Sequence, residues 1–250
     1  MSTSELPRIF LLHGFAENSA FWSLLRPLLP VEYTYIVPDL PGFGASSPVP
    51  LPDIDAYAQH FRQTYLHSGE RILLLGHSMG GYITMAFAER FPEQLIAAGL
   101  LHSHVFADSE EQRSVRERSI AFIRNNGTEI YLRNFAKKLF AAETDDAVLQ
   151  EHIRTILATP ADGLTTALHT MMQRRDTQHV LESADIPFLF LFGRQDTLMP
   201  VDTLMQQTAP VKKKTVHILE HSGHMGMLEE PVLSARHITD FLHFAVNSGS

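Results

Sequence analysis

Short apolar runs alternate along this 250-residue chain with segments whose apolar residues recur at helical spacing. The runs are RIFLLHG (8–14), YTYIVPDL (33–40), RILLLGH (71–77), LIAAGLLHS (95–103), PFLFLFGRQD (187–196) and KTVHILE (214–220). The helical segments between and after them are 19–29, 53–67, 79–90, 201–208 and 231–245. Several runs are continuously apolar, which is typical of parallel strands buried on both faces. The pattern therefore predicts an α/β fold with a mostly parallel central sheet of about six strands and helices on both faces.

The alternation is interrupted once, between residues 105 and 184, where we find helical patterns and no convincing strand. We interpret this stretch as a helical cap of about four helices, inserted into a core formed by residues 1–104 and 185–250. An insertion at this point is expected to lie over the carboxyl ends of the strands, where open α/β sheets bind ligands.

The composition excludes several classes of function. A net charge of −8 argues against a nucleic-acid partner, because phosphate contacts need a basic face. The chain has no cysteine, and none of its apolar runs approaches the length of a membrane span. The start, MSTSELPRIF, does not look like a secretory signal. We expect a cytoplasmic protein with no membrane partner, and the sequence leaves its oligomeric state open.

The third apolar run leads directly into Gly76-His77-Ser78-Met79-Gly80 and a helical pattern. Glycines at 76 and 80 remove side chains where a strand that turns at once into a helix brings two backbone segments together. Ser78 would then be lifted out of the sheet at the start of the helix. This Gly-x-Ser-x-Gly arrangement, in a strand–turn–helix setting, predicts a nucleophilic serine.

A serine hydroxyl needs a base to take its proton and an acid to orient that base. Asp196 ends the fifth apolar run and His224 follows the sixth, in the order Ser78, Asp196, His224 that this architecture requires. The backbone N–H groups of Met79 and Phe15 are the candidate donors of an oxyanion hole.

Other residues compete for two of these roles. His221 and His217 are the rivals of His224 as the base, although His217 is expected on the solvent side of its strand. Asp202 and Asp108 are the rivals of Asp196 as the acid. Fourteen histidines raise the question of a metal, but the sequence contains no His-Glu-x-x-His or comparable motif. We expect neither a metal nor a cofactor.

Five motifs together resemble the α/β-hydrolase superfamily, in particular its capped branch of serine esterases and carbon–carbon-bond hydrolases. They are His13-Gly14-Phe15, PDLPGFGAS (38–46), GHSMGG (76–81), GRQD (193–196) and GHMGMLEEP (223–231). The resemblance covers the core and not the insertion. It implies a catalytic triad of Ser78, Asp196 and His224. Members usually carry a β-hairpin before the first of these motifs, and because only seven residues precede Arg8, that hairpin is expected to be missing here.

The expected activity is hydrolysis of a small to medium carboxylic ester through an acyl-enzyme. Carbon–carbon-bond hydrolysis, lactone opening and a lyase reaction of the menaquinone pathway are alternatives that use the same triad. A ligand receptor of the plant-hormone type is a further alternative, from a different functional class. The candidate substrate-binding residues are His104, Phe106, Phe122 and Met171. Arg174-Arg175 either bind a substrate carboxylate or are solvated.

Overall fold

A computed structural model describes residues 6–247, in which six strands form one sheet with every strand pair parallel. The strands are β1 (Ile9–Leu12), β2 (Tyr35–Ile36), β3 (Ile72–His77), β4 (Leu95–Leu101), β5 (Phe188–Gly193) and β6 (Lys214–Leu219). Their order across the sheet is β2-β1-β3-β4-β5-β6. The predicted parallel sheet of about six strands is confirmed. The expected absence of a hairpin before β1 concerns a stretch whose first five residues lie outside the described part.

Helices cover both faces of the sheet, because successive residues of a strand point to opposite sides. Leu74 packs into one apolar cluster with residues of the helices at 54–65 and 79–90. Its neighbour Leu73 packs into a second cluster with residues of the helix at 231–247. The helices are α1 (Ile54–Tyr65), α2 (Met79–Arg90), α3 (Glu110–Asn126), α4 (Thr128–Ala136), α5 (Asp146–Ile156), α6 (Ala161–Met172), α7 (Gln178–Ser183), α8 (Val201–Thr208), α9 (Gly226–Glu229) and α10 (Pro231–Asn247). None of the helices within residues 6–247 is long and apolar enough to cross a bilayer.

One predicted helix, over 19–29, is wrong. The structure has two short 3₁₀ helices there, Ser19–Trp22 and Arg26–Leu28. Pro27 lies in the first turn of the second one. A proline cannot donate the backbone hydrogen bond that a continuous α-helix needs in its interior, so the segment breaks into two pieces.

Five helices, α3 to α7, lie between β4 and β5 in the chain, one more than predicted. The additional one, α7, has only six residues. Helix α3 packs against α4 and α6, and α4 packs against α5. The division into a core and a cap, with boundaries at 104 and 185, stays a prediction.

The inserted helices touch the core where α6 meets the loop before α1. A Cβ atom added to Gly163 would overlap the carbonyl oxygen of Gly42, and Gly42 itself has a φ of +87°. The Gly42 oxygen belongs to the backbone, so it cannot move aside as the end of a flexible side chain would. This contact fixes how closely α6 approaches the loop.

We expect Gly163→Ala to lower the free energy of unfolding by about 1–3 kcal/mol, the usual cost of an overpacked site. Urea denaturation measures it. The control is Thr165→Ala on the same helix, whose hydroxyl contacts are exposed and whose effect should stay within about 0.5 kcal/mol. Equal stability of the two variants would show that the loop moves away from α6 at little cost.

Candidate active site

Ser78 lies at the turn between β3 and α2 in a backbone conformation that side chains rarely adopt. Its φ is +48° and its ψ is −114°. Added Cβ atoms at Gly76 and Gly80 would overlap the carbonyl oxygens of Gly80 and Leu12, so the turn requires glycine at both positions. The Ser78 N–H donates to the Leu101 carbonyl over 3.0 Å. The strained serine is thus held by the neighbouring strand at the carboxyl edge of the sheet.

His224 and Asp196 face each other at the same edge. Nδ1 of His224 lies 2.7 Å from Oδ2 of Asp196. The second carboxylate oxygen accepts the N–H groups of Leu198 and Met199 at 2.9 and 2.8 Å. Nε2 of His224 is buried and has no hydrogen-bond partner among residues 6–247. The imidazole is therefore oriented by Asp196 on one side and holds an unused nitrogen on the other.

The electrostatics of this pair favour a charged histidine. Burial by itself would lower the pKa of His224, but the charge and the hydrogen bond of Asp196 outweigh it and raise the pKa. Burial would likewise raise the pKa of Asp196, but His224 and His102 outweigh it and hold that pKa well below its usual range. Asp196 is accordingly ionised at neutral pH, and it stabilises the imidazolium that His224 forms when it accepts a proton.

A buried pair, Glu17 and His77, connects the loops that carry the candidate groups. Nδ1 of His77 lies 3.0 Å from Oε2 of Glu17, and its Nε2 lies 2.9 Å from the carbonyl oxygen of His224. The Glu17 carboxylate also accepts the Gly14 N–H at 2.6 Å. Because a carbonyl oxygen can only accept, Nε2 of His77 donates the hydrogen bond to the His224 carbonyl. This network joins the loop after β1, the end of β3 and the His224 loop.

We expect Glu17→Ala to lower kcat for a neutral ester by roughly 100-fold, because small misplacements of reacting groups have effects of this size. Glu17→Gln should recover most of the rate, since its amide oxygen can still accept the Gly14 N–H and the side chain keeps its place beside Nδ1 of His77. Steady-state kinetics and melting temperatures of both variants measure this. An exposed control is Glu32→Gln. If Glu17→Ala melts earlier yet keeps kcat, the network is only structural.

His102, the residue after β4, is a further buried neighbour of Asp196. It is fully buried, has a φ of +47°, and places Nδ1 3.7 Å from Oδ2 of Asp196. Burial lowers its pKa to about 4, so the ring is neutral at neutral pH. Ligand atoms of His102, Asp196 and His224 lie within 4.8 Å of one another, a spacing that could hold a metal ion. The direct hydrogen bond between Asp196 and His224 instead suits an imidazole that Asp196 orients as a general base.

The two candidate oxyanion donors belong to the start of α2 and to the loop after β1. Met79 is the first residue of α2, where backbone N–H groups lack partners within the helix. Phe15 is buried in the loop after β1, and its ring meets Phe135 of α4 at 5.4 Å between centroids. The Thr159 hydroxyl donates to the Ala16 carbonyl at 3.0 Å. Inserted helices therefore support the loop that carries Phe15.

The four candidate substrate-binding residues lie in different surroundings. His104 is buried on the wall of a cleft, with the Phe106 ring stacked on it at 5.7 Å. Met171 is buried in the main apolar cluster. Phe122 is 38% exposed on α3, and its role as a substrate contact stays a prediction. Its neighbour Ile123 occupies the inward position of α3, and adjacent helix residues point about 100° apart.

The rival acids and bases are exposed or contact other residues. Asp108 binds two arginines, Arg116 and Arg174. Asp202 is exposed in the first turn of α8, and His221 is exposed. The half-buried His217 ring stacks on His237 at 3.8 Å. Of the candidates, His224 and Asp196 are the histidine and carboxylate that the structure brings together.

Residues 9–236 match the family model described as "Alpha/beta hydrolase family". The chain therefore belongs to the α/β-hydrolase family and is an enzyme of that class, as the sheet and the turn at Ser78 also indicate.

Curated relatives and solved structures are named as esterases and related enzymes. A pimeloyl-[acyl-carrier protein] methyl ester esterase of Klebsiella pneumoniae is 26% identical over 77% of this chain and 76% of its own. A 2-succinyl-6-hydroxy-2,4-cyclohexadiene-1-carboxylate synthase of Enterobacter sp. is 26% identical over 96% of this chain and 93% of its own. A malate-bound thermophilic esterase of Thermogutta terrifontis has a TM-score of 0.88, 26% identity and coverage of 97% and 92%. They differ in reaction, so they leave the bond that this enzyme cleaves open.

Proposed function

We propose that this enzyme hydrolyses a small to medium carboxylic ester through an acyl-enzyme formed on Ser78. The Ser78 hydroxyl attacks the ester carbonyl and gives its proton to Nε2 of His224. The N–H groups of Phe15 and Met79 stabilise the oxyanion, and the protonated His224 then delivers its proton to the departing alkoxide. A water molecule, deprotonated by His224, attacks the acyl-enzyme and releases the acid.

One observation carries this proposal above the others. The imidazole of His224 is fixed by Asp196 at 2.7 Å, while its Nε2 stays buried without a partner. His77, the residue before Ser78, bonds to the His224 backbone. An unsatisfied buried nitrogen is costly and marks a group reserved for another partner. In enzymes without substrate the hydrogen bond between nucleophile and base is often long or absent, so the Ser78 hydroxyl is the expected partner.

Two of the similar proteins support an ester as the substrate. The Klebsiella relative is named for cleaving a methyl ester, and the Thermogutta structure is titled an esterase. The Enterobacter relative, named as a synthase, favours keeping the lyase reaction as the second candidate. Carbon–carbon-bond and lactone substrates belong in the same panel, because the proposed triad serves them as well.

The test is turnover of p-nitrophenyl acetate, butyrate and octanoate, run beside a lactone and a vinylogous diketone. Many turnovers per protein molecule on the esters support the proposal. A single burst, or faster cleavage of the diketone or lactone, refutes it in favour of a ligand receptor or of the alternative bond. Labelling by a fluorophosphonate that requires Ser78 identifies the nucleophile independently of substrate choice.

A further inference from the structure

A buried charge cluster lies between β4 and the inserted helices. The Asp108 side chain is fully buried, and Nε of Arg116 and Nη1 of Arg174 each lie 2.6 Å from one of its oxygens. The charges of the two arginines lower the pKa of Asp108 against the effect of burial. The carboxylate is therefore ionised, and the cluster of Asp108, Arg116 and Arg174 carries one uncompensated positive charge.

Arg174 has an unused donor. Its Nε donates to the Phe106 carbonyl and its Nη1 to the Met171 carbonyl, at 3.1 and 3.0 Å. Its Nη2 has no hydrogen-bond partner among residues 6–247, although the residue is only 6% exposed. A guanidinium presents donors in a fork that fits a carboxylate. An unpaired buried donor is costly, and this one belongs to a charged group.

Residues around the cluster connect it to the candidate active site. The Arg174 guanidinium lies 4.2 Å from the centre of the Tyr82 ring, and Tyr82 is one helical turn after Ser78 on α2. His104, whose pKa burial lowers to about 3, feels the charges of both Arg174 and His224. The cluster thus contacts α2 one turn after Ser78, through the Tyr82 ring.

A cleft of about 380 Å³ opens onto Arg174, with Tyr82 and His104 among its walls. The acidic side chains along this cleft have partners of their own. Asp53 accepts the Ala56 N–H, and Asp55 pairs with the exposed Arg175 at 2.9 Å. Arg174 is thus a cleft residue with a buried donor that has no partner among residues 6–247, and it lies beside a net positive charge.

We propose that Arg174 binds the distal carboxylate of the acyl substrate, so that the preferred esters are monoesters of dicarboxylic acids. A substrate carboxylate would neutralise the excess charge of the cluster and satisfy Nη2. Because Arg174 is fixed by Asp108 and two carbonyls, it should select one length of carbon chain between the ester and the acid. This inference rests on the proposed ester hydrolysis.

The test compares monomethyl succinate, glutarate, adipate and suberate with methyl esters of the uncharged acids of equal length. In the parent enzyme, kcat/KM should favour the acidic ester by about 10- to 100-fold at one chain length, as expected for a charge-assisted hydrogen bond. Arg174→Met should bring this ratio to about one. Arg174→Lys, which keeps a charge beside Asp108, gives a second reading if the first variant folds poorly, and the ratio should fall in it too.

The matched control is Arg175→Met, because Arg175 is the adjacent arginine and is occupied by Glu89 and Asp55. It should keep the parent ratio. The inference is overturned if the parent shows no preference, if the ratio survives in Arg174→Lys, or if Arg175→Met lowers it equally.

Failure of the proposed function has a different signature. In that case no ester of either series is turned over in a Ser78-dependent manner. Calorimetry with monomethyl adipate and Ser78→Ala then tests the site alone. Binding that Arg174→Lys weakens about tenfold or more supports the carboxylate site without hydrolysis, and binding that ignores Arg174 overturns it.

Discussion

Ser78→Ala should lower kcat for p-nitrophenyl butyrate by about 10⁴- to 10⁶-fold, the range found when a serine nucleophile is removed. The reason is that Ser78 supplies the proposed nucleophilic hydroxyl, at the strained turn between β3 and α2. The same variant should lose fluorophosphonate labelling. Rates that fall while the melting temperature stays within a few degrees would separate lost chemistry from lost folding.

A serine far from the sheet edge provides the comparison. Ser68 is exposed in the turn after α1, and Ser68→Ala should keep both the rate and the labelling. Labelling that persists in Ser78→Ala would assign the nucleophile to another residue and remove the basis of the mechanism.

Asp196→Asn should lower the maximal rate by about 10⁴-fold and move the pH profile. In the parent, activity requires neutral His224, so the rate should rise with pH through a pKa above the usual value of about 6.5. Asparagine removes the charge that raises this pKa, while burial, which lowers it, remains. The rise should therefore move to lower pH in the variant, even as the plateau falls.

The measurement is kcat/KM from pH 5 to 9 for both proteins, which reports on the free enzyme. Asp202→Asn is the matched control, because Asp202 was the rival acid and is exposed on α8. A flat parent profile would exclude His224 as the base. An equal loss in Asp202→Asn would mean that the acid was assigned wrongly.

How far the sequence predicts the site depends on whether a role is set by local or distant contacts. The strand–turn–helix at Ser78 is local, since Gly76 and Gly80 relieve a collision within five residues of chain. The positions of Asp196 and His224 follow from parallel strands ending at one edge. The structure places both residues there, side by side.

Contacts between residues far apart in the chain could not be predicted from the sequence. Glu17 belongs to the loop after β1 and to no predicted set of site residues, yet it contacts Nδ1 of His77, 60 positions away. Arg174 was left undecided for a related reason: the direction in which a residue of the insertion faces depends on its partners. Ile123 took the inward position on α3, and Arg174 was buried by its pairing with Asp108.

The order of apolar runs and glycines by itself determined the parallel sheet, the turn that carries Ser78 and the chain order of the reacting groups. Those features depend on hydrophobic burial and backbone sterics, which act between near neighbours and leave a periodic pattern. Only the tertiary structure decided which buried polar groups pair: Glu17 with His77, and Arg174 with Asp108. Such pairings join residues far apart in the chain, and they satisfy charges and donors that no local pattern reveals.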